Sequence, residues 1–424
     1  MGNLESSSVT RRDFVKTAAA ASLAASISSN LGLFASGTDA IKIGVIGCGG
    51  RGTGATIDCL NAATGVEVVA LGDLVPDRVE SALKKLKETF PDRVKVPANR
   101  CFTGFDNYLG VCSCPDVNLI VTATPPGFRP IHLKAAVEAG KHVFMEKPVA
   151  VDPAGIHSVI ASSDLAKQKG LAIVAGTQRR HQKLYLEMMK RIHDGQIGEI
   201  VAAQCYWNQG DLWMRKREPN MTEMEWQCRN WLYFSWLSGD HIVEQHVHNI
   251  DVVNWAIGAM PKNIMGMGGR QVRVAPDYGN IFDHFFVEFE YPNGVRAASM
   301  CRQTKGCAER VEERIVGTRG VAYSSGEIKG EKPWKFEEKE VNPYVLEHVD
   351  LIASIRSGNV LNEGRQIAES TMCAIIGRMS AYTGRAISWE WAMNSSKLDL
   401  SPAKYEFGPN PVDPAAIPGV TPLI

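Results

Sequence analysis

An apolar run, Ile41-Lys42-Ile43-Gly44-Val45-Ile46, ends directly on Gly47-Cys48-Gly49-Gly50-Arg51-Gly52. The order is strand, G-x-G-x-x-G, and then a segment that continues at helical spacing through Ala55, Ile57 and Leu60. Gly47 permits a tight turn, Gly49 admits a pyrophosphate close to the backbone, and Gly52 lets the helix lie against the strand. With Gly50 and Arg51 they would form a phosphate cradle, because the helix N-terminus offers unpaired N–H groups and the positive end of its dipole. Three glycines alone also occur in plain tight turns. The residues downstream decide between the two.

A second apolar run at 66–71 closes on Gly72-Asp73, and Asp73 lies 21 residues beyond Gly52. A carboxylate at the tip of that strand accepts both hydroxyls of an adenosine ribose and repels a 2′-phosphate, so NAD is favoured over NADP. A helix over 77–90 follows, with Val79, Leu83, Leu86 and Phe90 on one face. The strand at 117–122 is broken by Thr124-Pro125-Pro126, where the ligand crevice of such a sheet should lie. Helices over 131–139 and 153–169 alternate with strands at 142–145 and 172–175. Strands alternating with helices of this length make βαβ units and a parallel sheet, so the fold class is α/β.

The chain has 424 residues, too many for one ordinary core, and two domains are expected. Formal net charge is zero, which argues against nucleic acid or an anionic membrane surface as partner. Ten cysteines are scattered with no C-x-x-C pair, so zinc ribbons and a dense disulfide framework are both disfavoured. At the N-terminus, Thr10-Arg11-Arg12-Asp13-Phe14-Val15-Lys16 precedes an Ala/Ser-rich segment reaching about Phe34. It resembles a twin-arginine (Tat) export signal, which implies a bacterial periplasmic or exported protein. The segment is too short and polar for a convincing membrane span. The domains expected are 1–37 (signal), 38–177 (nucleotide-binding), 178–395 (substrate-binding) and an extended Pro-rich tail at 396–424.

Glycine turn, acid after the second strand, Thr-Pro-Pro after the fourth and Glu146-Lys147-Pro148 after the fifth together resemble the Gfo/Idh/MocA oxidoreductases. Glu-Lys-Pro at this position is the most specific of these motifs. The resemblance implies a Rossmann domain followed by an α+β domain with a mostly antiparallel open-faced sheet. It implies too that the sheet carries a homodimer or homotetramer. Cofactor contacts then fall on Gly47, Gly49, Gly50, Arg51, Gly52, Asp73, Thr124, Pro125, Glu146 and Lys147.

The second part begins at Gly176, with Arg179 and His181 soon after the last strand. A strand over 200–207 ends on Trp207, and residues 208–238 carry Trp213, Trp226, Trp231 and Trp236. That segment reads either as a loop whose aromatic faces stack on a sugar or as a packed insertion. Residues 239–258 read as one buried helix with Glu244 and His248 four apart on one face and His246 turned away. The resembled family usually has Asp-x-x-x-His here, so Glu244 stands in place of Asp, and its longer side chain alters the reach of the site. His241, Glu244 and His248 also raise the question of a metal, but three ligands from one helix rarely converge on one ion, and none is expected. Asn293-Gly294 between apolar runs predicts a hairpin, and helices are expected over 343–357 and 364–383.

The resemblance implies hydride transfer between a nicotinamide and a hydroxyl-bearing carbon of a sugar or cyclitol. The hydroxyl proton must leave with the hydride, which requires a base. His248 is assigned that role, Lys147 steadies the oxyanion, and Glu244 orients histidine or substrate. Arg179, His181 and Trp207 are expected to meet the same substrate. Glycoside hydrolysis by transient oxidation and elimination is the alternative chemistry, and a non-catalytic sugar or cofactor binder the alternative class.

Overall fold

The computed structural model describes residues 40–424, so the twin-arginine segment lies outside the described residues. β1 (Ile41–Ile46) leads through the glycine turn to α1 (Gly50–Ala62), and β2 (Val66–Asp73) to α2 (Pro76–Thr89). There follow β3 (Cys101–Thr103), α3 (Asn107–Ser113), β4 (Leu119–Thr122), α4 (Arg129–Glu138), β5 (His142–Met145), α5 (Pro153–Gln168) and β6 (Ile173–Ala175). They form a six-stranded parallel sheet in the order β3-β2-β1-β4-β5-β6. Its central strands are continuous Val/Ile/Leu runs because helices cover both faces. The strand order reverses between β1 and β4, which opens a crevice at their carboxyl ends. β3 and α3 were not anticipated; three and seven residues are too few to show a period.

The second part comprises α6 (Lys183–His193), β7 (Ile200–Gln209), α7 (Glu223–Arg229), α8 (Ser235–Ser238), α9 (His241–Glu244) and α10 (Val247–Ile257). Then come β8 (Asn263–Gly269), β9 (His284–Glu290), β10 (Arg296–Gln303), β11 (Arg310–Gly317), β12 (Gly320–Tyr323), β13 (Glu327–Gly330) and β14 (Trp334–Lys335). The chain finishes with α11 (Pro343–Ser357), α12 (Gly364–Thr383), β15 (Ile387–Ser388), α13 (Trp389–Asn394) and an irregular tail. Nine strands pair in the order β14-β13-β12-β11-β7-β10-β9-β8-β15, antiparallel except for β7 beside β10. Ile264, Val287, Ala297 and Cys205 bury one face under α10 and α12. The opposite face is open, and Met267, Phe286, Met300 and Tyr206 pair strand to strand across it. β8 escaped sequence reading because its Gly-rich Asn-Ile-Met-Gly-Met-Gly-Gly run has low strand propensity.

Two arrangements differ from expectation. The stretch 239–258 is two helices, not one, broken at Gln245-His246. There the His246 N–H donates to the His241 carbonyl five residues back, widening the turn. The buried His246 ring is drawn out of register by Ser299 Oγ at 2.7 Å and Asn249 Oδ1 at 3.3 Å. Second, α11 leaves the sheet domain and packs on α1, where Leu351 and Ile352 join the core beneath β1 and β2. Residues 361–363 then run beside β6, bonded to Ile173 at 2.9 Å on both sides. A division by composition could not show this return, because it depends on packing between distant segments. All ten cysteines are unpaired thiols, eight of them buried.

Candidate active site

The glycine turn has the geometry a dinucleotide needs. Gly47 sits at φ +93°, and a Cβ there would lie 2.8 Å from the Thr124 backbone nitrogen. A Cβ at Gly52 would collide with the Gly47 carbonyl, so strand and helix approach only through glycine. Around Gly49 and Gly50 there is open space, no side chain caps α1, and no acid occupies its first turn. These features fit a bound pyrophosphate. Asp73 is buried at the tip of β2 and accepts from the Cys48 N–H at 2.7 Å and the Val75 N–H at 3.2 Å. Thr124 and Pro125 form the facing wall, with Thr124 Oγ1 held 3.0 Å from His132 Nδ1. The cleft they share has a volume of about 330 Å³.

Glu146 does not face this cleft openly. Its carboxylate accepts from Arg51 Nε at 2.6 Å, so the motif after β5 is tied to the glycine turn after β1. The Arg51 guanidinium is backed by the Tyr344 ring of α11 at 4.9 Å. Beneath it lies Glu347, fully buried, with neither carboxyl oxygen hydrogen-bonded. Burial and the neighbouring charge of Glu146 hold Glu347 well above the usual carboxylate range.

Lys147 reaches the other way, toward the sheet domain. Its Nζ donates to the Glu244 carbonyl at 2.7 Å, at the C-terminus of α9, and lies 3.6 Å from Glu244 Oε1. His248, in the first turn of α10, is buried and stacks on Trp207 with ring centroids 5.8 Å apart. Burial, followed by the charges of Lys147 and Arg179, pushes the imidazole well below its ordinary pKa, so it is neutral. Thus Lys147, Glu244, His248, Trp207 and Arg179 gather at the junction of the two domains, although α9 and α10 are separate helices.

Arg179 and His181 are held differently. Arg179 is paired with the buried Glu313 of β11, which also takes Tyr185 at 3.1 Å and Asn249. His181 Nδ1 lies 2.5 Å from Asp350 and its Nε2 3.2 Å from Glu363. Burial alone would lower its pKa, but the two carboxylates raise it to about 10. His181 is therefore a cation that ties the domain junction together, away from a substrate role. Arg180, not singled out in the sequence, makes a bidentate pair with Asp251 at 2.8 Å on each side. Glu313 and Asp251 are far from their arginines in sequence, and no local pattern marks them.

His241 Nδ1 is turned to Asp240 Oδ1 at 2.9 Å, apart from Glu244 and His248. Among the described residues, no group of three His, Cys, Asp or Glu side chains is gathered as for a metal. Likewise, no helix among them is long and apolar enough to cross a membrane. Trp226 is buried in a cluster with Phe234 and Met224, as a packed insertion requires. Trp213 and Trp231 instead line the cleft, at its Asp73 end and not beside His248.

A doubly wound nucleotide domain, joined to an open-faced sheet that lends it a lysine-facing histidine, defines a two-domain dinucleotide-binding protein. Residues 41–177 match the model described as the oxidoreductase family, NAD-binding Rossmann fold, and residues 185–323 match the GFO/IDH/MocA C-terminal domain. The chain belongs to the Gfo/Idh/MocA oxidoreductase family, and its first domain is that family's NAD-binding fold. It is 27% identical over 255 residues to the inositol 2-dehydrogenase/D-chiro-inositol 3-dehydrogenase of Lactiplantibacillus plantarum, covering 60% of this chain and 63% of the relative. It is 28% identical to glycosyl hydrolase family 109 protein 3 of Phocaeicola vulgatus, covering 47% of this chain and 36% of the relative. The chain thus spans less than two thirds of either relative's length. In fold it resembles scyllo-inositol dehydrogenase from Lactobacillus casei, solved with NAD(H) and scyllo-inositol, with TM-score 0.63 at 19% identity, covering 82% of this chain and 99% of that one.

Proposed function

We propose that this protein oxidises a hydroxyl-bearing carbon of a sugar, cyclitol or sugar derivative, with NAD as the hydride acceptor. The observation that carries the reading is the meeting of Lys147, Glu244 and neutral His248 at the end of β5. Bound NAD supplies a carbon that takes hydride; the chain's own residues manage the proton. His248 accepts it from the hydroxyl, since a neutral imidazole has a free acceptor nitrogen. Lys147 stabilises the negative charge that develops on oxygen, and its tether to the Glu244 carbonyl fixes where that charge is met. Glu244 positions Lys147 and shares the substrate wall with Trp207.

The reading extends to export through the twin-arginine route, with the nucleotide kept bound from one turnover to the next because no free NAD pool is at hand. It extends also to a homodimer or homotetramer formed on the open sheet face. Lys147→Ala should lower turnover about 100-fold or more while NAD still binds. Unchanged turnover of polyols would overturn the assignment. A second reading, glycoside cleavage by transient oxidation, is favoured by the likeness to a glycosyl hydrolase family 109 protein. Release of a free sugar without net NADH would select it, and a second sugar recovered in reduced form would select coupled oxidoreduction.

A further inference from the structure

The insertion between β7 and α9 belongs to the second domain in sequence, yet it lies on the nucleotide cleft of the first. Trp213, Arg215, Cys228 and Trp231 line the same cleft as Asp73 and Arg78. That is the adenosine end, because Asp73 marks the ribose. Trp213 is 44% exposed, a large apolar ring left facing open space in a cleft. Its indole lies 5.9 Å from that of Trp231, and the Arg215 guanidinium is 5.8 Å from its ring centre. Flat aromatic faces beside a guanidinium are what a purine base recognises, by stacking and cation–π attraction.

The insertion is anchored on both sides. Arg229 on α7 makes a forked pair with Asp77 at the start of α2, at 3.1 and 3.2 Å. The Trp236 ring stands edge-on to Phe128 at 5.7 Å, beside the Thr124-Pro125 wall. Within it, Asn230 Oδ1 accepts from the Arg215 N–H at 3.1 Å, and Tyr233 donates to the Trp213 carbonyl at 3.0 Å. The tail then fastens it from outside. The Met224 N–H donates to the Gly408 carbonyl at 3.1 Å, and Gln227 and Asn410 exchange bonds of 2.6 and 2.9 Å. Phe407 packs on Phe105 at 5.2 Å, and Asp152 accepts from the Leu400 N–H at 2.8 Å.

We propose that residues 211–236 are a clasp over the adenosine end of the cleft, with Trp213, Trp231 and Arg215 forming an adenine subsite and residues 400–410 locking the clasp shut. NAD then leaves only when the clasp lifts. This rests on the NAD-binding reading and supplies a physical means for the resident cofactor. The test is the rate at which NAD leaves the full chain, followed by recovery of tryptophan fluorescence or by nucleotide remaining after gel filtration.

Trp231→Ala, and separately Arg229→Ala on the anchor, should each speed NAD release about tenfold, with far-UV circular dichroism and thermal midpoint unchanged. Asn410→Ala, which touches only the fastening, should move release in the same direction. Release within twofold of the wild type in all three folded variants overturns the clasp. If a variant loses its fold, the other two decide. Should the wild type exchange NAD within a turnover while the variants exchange it faster still, the clasp stands and the resident cofactor falls. Should wild type and variants all retain NAD for many turnovers, at release rates within twofold of one another, the resident cofactor stands and the clasp falls.

Discussion

His248 shows how a buried group becomes useful. Desolvation and two neighbouring cations hold its imidazole neutral, so protonation requires a pH well below the ~6.5 of a free imidazole. A base whose pKa is depressed stays competent as pH falls. The acid limb of kcat/KM attributable to it should therefore lie well below the ordinary histidine range, and His248→Asn should lower kcat about 100-fold or more and erase that limb. A profile with an acid limb at an ordinary histidine pKa would contradict the assignment. Gly52 makes a plainer case. Gly52→Ala places a methyl group against the Gly47 carbonyl, so the turn must open and NAD binding should weaken at least tenfold, measured by calorimetric titration. Gly47, Gly49, Gly52, Asp73, Lys147 and His248 were legible because the chemistry of each accepts few residue types at a set distance. Glu313 was not, nor was the place of Trp213 beside Asp73, because both depend on partners brought near only by folding.

At the scale of the element, α11 is the instructive case. Its period reads correctly as a helix, but its address does not, since Leu351 and Ile352 serve a core that begins about 300 residues earlier. It also carries Glu347 into the junction among Glu146, Glu363, Arg51 and His181. The folded pKa of Glu347 is raised, so the folded state holds a proton that the unfolded chain releases. Its contribution is full below the unfolded pKa and is lost as pH rises toward the folded one. Glu347→Gln should accordingly gain in thermal midpoint over the wild type as pH goes from about 5 to about 8, by roughly 2–4 °C for each kcal/mol. Equal midpoints across that range would show Glu347 ionised without penalty. The α9–α10 break was beyond reach for a related reason: an i, i+4 pattern cannot report that Ser299, on a distant strand, pulls His246 out of the ladder.

Across the whole molecule, the two sheets divide labour: the parallel one grips the nucleotide while the mixed one turns a face outward. Four apolar side chains in one row on that face, Met267, Phe286, Met300 and Tyr206, make a patch that single copies seldom leave bare. Phe286→Asp, well away from Lys147 and His248, should shift the particle to lower mass in light scattering and leave NAD binding intact. An unaltered mass would remove this face from the interface. The alternation of β and α in the first half announced its architecture plainly. The second sheet was only partly legible, through the strand over 200–207 and its hairpin, because strands such as β13 and β14 are two to four residues long.

The return of α11 onto α1 also sets a schedule. A ribosome releases the glycine turn early, but the hydrophobic floor under β1 and β2 waits for Leu351 and Ile352. Until those residues emerge, the first domain has an exposed underside and must be shielded or remain loose. Nucleotide capture on a finished surface is thus a late event in the life of the chain. A fragment ending near residue 177 should aggregate more readily than the 424-residue chain, measured by light scattering at equal concentration.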